Sequence, residues 1–436
     1  MKFLRVVFVL MIIASCRHDK YVASHNVNQP FPKAKRKNCG ILPSFYSIDT
    51  IKSIKSYVEC LSTRKLAYEH FCYTVISNVN VVDVRTGTVN KNMTVILHDH
   101  LIDSVFQSGG PLPAFPEDKC VRYIDGSGKY LAPGLCDMHT HYNCGLKNRF
   151  RFILNGITTL RTMSNGPVMN SEQDMINRDM IVGPNLYLVG TLYDLYPDST
   201  FHKKYLEPQS RWFYGGDDNE GKLDSTAVKR AIAQANKDQL SLSLEFFSGL
   251  PPFVFPANTV FERRTAFHLM SKQSNYKDFW FVFKYTDPKR WESPDEQSEA
   301  PSIFSALIKD DSHFCLGTES GQQESDAKFY SLVDEMRVVC DSGISTASAI
   351  RMATMNAGEM TYATTDLGHD ATLSSKYYWH ARFGEVKMNY RADLLLLNSD
   401  PLDNVKNYSD IDCVFLDGTC YTQSDLTEMK LALKKW

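Results

Sequence analysis

The sequence predicts an α/β protein whose middle is a parallel sheet and whose two ends meet in a separate β unit. Three observations carry that expectation. Through the middle, the apolar runs GLCDMHTHY, GITTLRTM, NLYLVGTLY, LSLSLEFFSG, DFWFVFKYT and HFCLGTESG are separated by stretches with helical spacing. Buried parallel strands between helices read this way. From Cys72 the chain is rich in β-branched residues broken by the turn RTGTV, a strand–turn–strand pattern. The same style returns near the C-terminus, in FGEVKMNYRADLLLLNSDPLDNV and DCVFLDGTCYT.

The chain begins with a different kind of segment. Lys2 and Arg5 form a positive region, Val6 to Ile13 is apolar, and the small residues Ala14 and Ser15 precede Cys16. This is the pattern of a secretory signal, too short for the roughly 20 residues that a spanning helix needs. The run Ile13-Ala14-Ser15-Cys16 resembles a bacterial lipobox, which implies cleavage before Cys16 and lipid on its thiol. An ordinary signal peptide with a chance cysteine is the alternative. The expected location is outside the cytoplasm: a membrane-anchored lipoprotein, periplasmic or at the cell surface, or else a secreted protein. Eleven cysteines less Cys16 leave ten, an even number that permits disulfides in an oxidising compartment. Cys39, Cys60 and Cys72 crowd the N-terminal extension, where a bridge is expected. Cys315 and Cys340 sit in apolar surroundings and read as buried thiols.

At 436 residues, 43% hydrophobic and 22% charged, the chain has room for one large domain and a smaller one. A formal charge of −2 without basic runs argues against nucleic acid as a partner. The expected divisions are a signal at 1–16 and a tether with an N-terminal extension at 17–71. The first part of the β unit follows at 72–131, the α/β domain at 132–380, the second part of the β unit at 381–425 and a tail at 426–436. Apolar spacing at Ile48, Ile51, Ile54, Val58 and Leu61 predicts a helix over residues 47–70. Two short strands are expected near Val121–Ile124 and Lys129–Leu131. Ser345 is a credible N-cap for STASAIRMATMNAGEM, and Gly343 ends the helix before it.

The strongest chemical signal is LAPGLCDMHTHYNCG, residues 131–145. Residues two apart on a strand share a face, so His139 and His141 project together and can chelate one divalent cation. An HxH pair by itself is weak evidence, and its flanks strengthen it.

The strand pair, APGLCDMHTH and NGITTLRTM together resemble the start of the amidohydrolase superfamily, above all its imidazolonepropionase-like and prolidase-like members. The segments GTES, ASAIRMATMNAGEM and FGEVKMNYRADLLLLNSDPLDNV resemble the end. The resemblance spans about residues 74–420. It implies a TIM-barrel-like domain beside a small β-sandwich built from both ends of the chain. It also implies one or two divalent ions, zinc foremost, with His139 and His141 holding the more buried one. In such proteins a strand-four Lys, often carboxylated, bridges the metals, and histidines on strands five and six add ligands. An Asp ending strand eight binds metal and acts as general base. An activated water then attacks an amide, lactam or related C–N centre of a small substrate.

The chain departs from that pattern. LEFFSGLP puts Glu245 where the bridging Lys is expected; a carboxylate can bridge metals, and it can equally be a strand-end acid paired with a base. GTES puts Glu319 in place of the Asp, as metal ligand and catalytic base, one methylene longer than the residue it replaces. A displacement of ~1 Å can cost ~10²-fold in rate. Between His141 and Glu319 only His202, His268 and His313 occur, and none fits strand five or six. Lys284 fits a strand end but offers a metal no lone pair while protonated. Asp137 reads as support for the histidines, and Arg161 as a residue near the pocket or a strand end. From Glu245 to Glu319 is 74 positions, where four units of about 31 residues would need ~125. That shortfall predicts either one to two lost βα units or very short connections. Two functions follow: an exported hydrolase of C–N bonds, or a catalytically impaired, lipid-anchored binding protein on the same fold. Oligomeric state and substrate identity have no sequence signal.

Overall fold

A computed structural model describes residues 73–115, 121–142, 145–163, 167–177, 179, 181–191, 210–214, 229, 232–233, 242–245, 259–262, 279–283, 310–321, 331–364 and 381–434. The signal segment, Cys16, the tether, the 47–70 helix, Cys39, Cys60, Cys72, His202, His268 and Lys284 lie outside them.

In chain order the first strands are β1 (Tyr73–Asp83), β2 (Thr88–His98), β3 (Leu101–Gln107), β4 (Val121–Asp125), β5 (Tyr130–Pro133) and β6 (Leu135–Thr140). Then come α1 (Leu146–Leu154), β7 (Ile157–Thr162), α2 (Pro167–Asn177), β8 (Asn185–Thr191), β9 (Ser210–Tyr214), β10 (Leu242–Glu245), β11 (Val260–Glu262), β12 (Trp280–Phe283) and β13 (Phe314–Leu316). The last are α3 (Leu332–Asp341), α4 (Thr346–Met352), α5 (Met355–Thr364), β14 (Leu394–Leu397), β15 (Ile411–Leu416), β16 (Thr419–Thr422) and α6 (Gln423–Lys434).

Both ends of the chain share one eight-stranded sheet, ordered β16-β15-β14-β5-β1-β2-β3 with β4 also on β1. Leu131 pairs with Leu396 and Ala132 with Leu395, so β14 stitches the C-terminal strands to the N-terminal ones. The RTGTV turn closes the expected hairpin, with Asp83 opposite Thr88. β1 has two partners besides β2 because it is irregular at Asn78, where φ is 57° and the register shifts. Residues before that point pair with β4, and residues beyond it pair with β5. Ile76, Val79, Leu97, Leu131, Leu396 and Phe415 fill the core of this sheet. Among the described residues the expected sandwich takes the form of one mixed sheet.

The second sheet runs β6 to β13 in sequence order, with every neighbouring pair parallel. This corrects two expectations. Among the described residues eight strands are present where six had been recognised; SRWFY and VFE were not singled out in the sequence. The shortening falls on the spacing instead: Leu242 to Val260 is 18 positions and Val260 to Trp280 is 20, against ~31 for a full unit. Counting β9 moves Glu245 to the end of the fifth parallel strand, not the fourth.

Two junctions join the sheets. Gly134 alone separates β5 from β6, so the chain changes sheets in one residue. Its backbone lies so close to the Thr158 side chain that a Cβ would collide with it. The other junction is polar and buried. Arg391 pairs with Asp393 and donates to Thr159 Oγ1 (2.8 Å) and Tyr187 Oη (3.2 Å) across the sheet boundary. Asn185 donates to Asp393 and Asp417, and the Asp417 amide donates to Asp393 at 2.9 Å. Burial pushes the Asp393 carboxyl up to about 6, with Arg391 pulling the other way.

Ser345 caps α4 as expected, accepting from the Ser348 amide at 3.1 Å, and Gly343 follows α3 with φ 94°. The long helix expected after Ser345 is broken at Ala353, whose carbonyl accepts from the Cys136 amide. Cys136 and Cys315 are buried and Cys340 is half-buried. Cys413 and Cys420 are joined in a disulfide across β15 and β16 that the sequence had not suggested.

Removing a buried ion's partner typically costs 3–5 kcal/mol. Arg391→Met is therefore expected to lower unfolding free energy by about that amount in a urea titration. Burial also pushes the Cys136 thiol up to about 12, which leaves almost no thiolate near neutral pH. Alkylation of the native protein at pH 8, read by mass spectrometry, should modify Cys340 and spare Cys136.

Candidate metal centre

The site forms where β6 loses its regularity. Its register against β7 slips between Asp137 and Thr140, so the ladder skips Met138 and His139. A slip of this kind re-aims side chains at a strand end. Side chains of β6 and β7 add bonds around this slip. Arg161 donates to the Met138 carbonyl at 3.0 Å. Thr140 Oγ1 donates to the Arg161 carbonyl at 3.1 Å, and Thr162 Oγ1 accepts from the Tyr142 amide at 3.1 Å. The two imidazoles come together edge to face, with ring centroids 5.5 Å apart. His139 is fully buried and His141 partly exposed, so one closes the site from below while the other reaches its mouth.

The residues after β13 are joined to this segment through backbone. Glu319 N–H donates to the His139 carbonyl at 2.7 Å, and His141 N–H donates to the Ser320 carbonyl at 2.8 Å. A Cβ on Gly317 would lie 2.5 Å from His139 Cβ, and one on Gly321 would strike the His141 carbonyl. Gly321 has φ 108°, and Glu319 itself is left-handed at φ 60°, a conformation uncommon outside glycine. The motif GTESG thus needs its two glycines for close approach, and it brings Glu319 beside the histidine pair.

Asp137 ties the same two segments through side chains. Its carboxylate accepts from the Thr318 hydroxyl at 2.5 Å and the Thr318 amide at 3.0 Å. Burial pushes it up to about 6, against those two bonds. Its role as support for the histidines agrees with these contacts. His313 precedes β13, at the opposite end of that strand from Glu319, and packs on the Trp280 ring at 4.8 Å. Glu245 ends β10, one position beyond the pair Leu244 and Phe261, which places its backbone level with Glu262 at the end of β11. The side chains of Glu245 and Glu262 lie outside the described residues. Thr318 and Ser243 were not singled out in the sequence. Thr318 could have been read from its place between Gly317 and Glu319; Ser243 carries no sequence signal.

The imidazole pair suits a divalent cation. With Zn–N near ~2.1 Å and tetrahedral angles, two ring centroids fall about 5 Å apart, close to the 5.5 Å seen. Among the described residues no third His, Cys, Asp or Glu completes a metal-holding group.

No family model matches the chain, and no curated protein matches it in sequence. Solved structures do. Molinate hydrolase matches with a TM-score of 0.58 at 14% identity, over 84% of this chain and 97% of that one. A Xaa-Pro dipeptidase with methionine bound in its active site gives 0.55 at 15%, over 80% and 100%. A. niger ochratoxinase gives 0.53 at 15%, over 81% and 96%. The chain shares its fold with these structures.

Gly317→Ala tests the close approach. Forcing a methyl into packed backbone costs about 1–3 kcal/mol. Chemical denaturation should show a loss in that range.

Proposed function

We propose that the chain is a metal-dependent hydrolase of a carbon–nitrogen bond in a small substrate. The observation that carries this reading is the convergence of His139 and His141 at the end of β6, beside the segment bearing Glu319. His139 and His141 would hold the ion, zinc foremost, and Glu245 and Glu319 would be the carboxylates that complete its shell. A bound divalent ion of this kind supplies a hydroxide-like nucleophile at neutral pH and polarises the carbonyl. Glu319, at a left-handed backbone position with φ 60°, would be the base that takes the proton. Names of the neighbouring structures, a dipeptidase and two hydrolases of small compounds, support the substrate class. The bonds from Glu319 and His141 across to β6 and the Ser320 carbonyl also support closure of the parallel sheet into a barrel. A fold-over of the mixed sheet into a sandwich is the matching expectation for the terminal strands. Export, with a lipid on Cys16 as membrane anchor, completes the proposal; among the described residues no helix is long and apolar enough to cross a membrane.

A second reading has one observation in its favour. Among the described residues the pair has no third metal-ligating side chain grouped with it. On that reading the fold is kept as a lipid-anchored binding protein.

Elemental analysis of the mature protein after exposure to zinc, manganese and iron separates the two. Near-stoichiometric metal that is lost in the His139→Ala, His141→Ala double variant is the expected result. Metal-free protein in both samples would sink the hydrolase reading and leave the binding role.

A further inference from the structure

The mechanism above makes no use of Arg161, yet this guanidinium is 3% exposed, inside the parallel sheet and close to the histidines. Burying a charge is costly unless it is well bonded, so its contacts say what it is for. From β7 it donates through Nη1 to the Met138 carbonyl at 3.0 Å. Through Nη2 it reaches Ser243 Oγ on β10, a strand separated from β7 by β8 and β9. Ser243 is itself fully buried. The contact therefore crosses the interior of the sheet instead of running along a neighbouring pair.

The carbonyl it grips belongs to one of the two residues that the register skips. Met138 lies in the slipped stretch between Asp137 and Thr140, immediately before His139. On one flank His139 is held by the Glu319 amide, and Asp137 by Thr318. On the other flank Arg161 is the side chain that takes hold of the strand at this point.

We propose that Arg161 is a positioning residue for the metal centre: anchored on Ser243, it fixes the Met138–His139 peptide and with it the direction of the His139 imidazole. This rests on the reading of His139 and His141 as metal ligands. Groups that orient ligands from behind typically contribute 10–100-fold to metal affinity. Arg161→Met keeps the bulk of the stem and removes every donor. Arg161→Lys keeps the charge but loses the fork that reaches two acceptors at once. Ser243→Ala removes only the far anchor.

Two measurements test the proposal on the mature protein. The first is hydrogen exchange by mass spectrometry on metal-free samples. Peptides covering residues 135–142 should exchange at least ~10-fold faster in Arg161→Met, by the loss of a charged hydrogen bond, while those covering β14 to β16 do not change. The second is zinc affinity by competition with a chromogenic chelator, with the histidine double variant as reference. A loss of about 10–100-fold is expected in Arg161→Met, a smaller one in Ser243→Ala, and partial recovery in Arg161→Lys. Because removing a buried cation puts the fold at risk, Ser243→Ala and Arg161→Lys decide the matter if Arg161→Met does not fold. Zinc affinity or local exchange equal to wild type in those variants overturns the proposal. A wild type that binds no zinc overturns the metal reading alone, and the exchange of residues 135–142 then decides whether Arg161 braces the strand.

Discussion

Two stretches of chain almost 180 residues apart exchange backbone hydrogen bonds where the site forms, Glu319 to His139 and His141 to Ser320. Side chains cannot separate these stretches, since Gly317 and Gly321 face the histidine backbone directly. Such contact demands that β6 and the end of β13 be held at backbone distance, and everything else in the parallel sheet has to permit it. Short strands, and short spacings between β10 and β12, are compatible with that demand as long as the eight described strands remain. Asp137 and Thr318 reinforce the contact with a charge-assisted bond that is buried from water, where hydrogen bonds are strongest and an unmade one is most costly.

The two sheets are not independent units that happen to adjoin. A single residue, Gly134, carries the chain from one to the other. The Arg391 cluster then joins β7 and β8 to the entrance of β14. Neither Arg391 nor Asp393 is ordinary core material, and apolar residues could have filled the volume. What the polar cluster supplies is direction. Thr159, Tyr187 and Asn185 accept or donate only in one arrangement, and this fixes the start of the parallel sheet relative to the mixed one. Position of the HxH strand is inherited from that arrangement, since β5 runs directly into β6.

The imidazole pair stands in an irregular part of the parallel sheet. β6 is fully buried along its length, yet its register slips at the residues that matter. Arg161, Thr140 and Thr162 add bonds around the slip. Along this strand the two imidazoles stand nearly edge to face. Bonds leaving β7 explain why TTLRT is polar at positions where a buried strand would ordinarily be aliphatic: Thr159, Arg161 and Thr162 each bond to something outside β7.

Sequence by itself determined the α/β class, the β character of both ends, the cap at Ser345 and the His139–His141 spacing, because each depends on neighbours within a few positions. Period, turn chemistry and an HxH spacing are local properties. Only the tertiary structure decided the strand count among the described residues, adding SRWFY and VFE to the runs that could be recognised. With the count came the place of Glu245, on the fifth parallel strand. Tertiary structure also decided the partners of Arg161 and Asp137, which lie 82 and 181 positions away. Contacts at such separations follow from how strands are ordered in space, and no residue's immediate neighbours record that order.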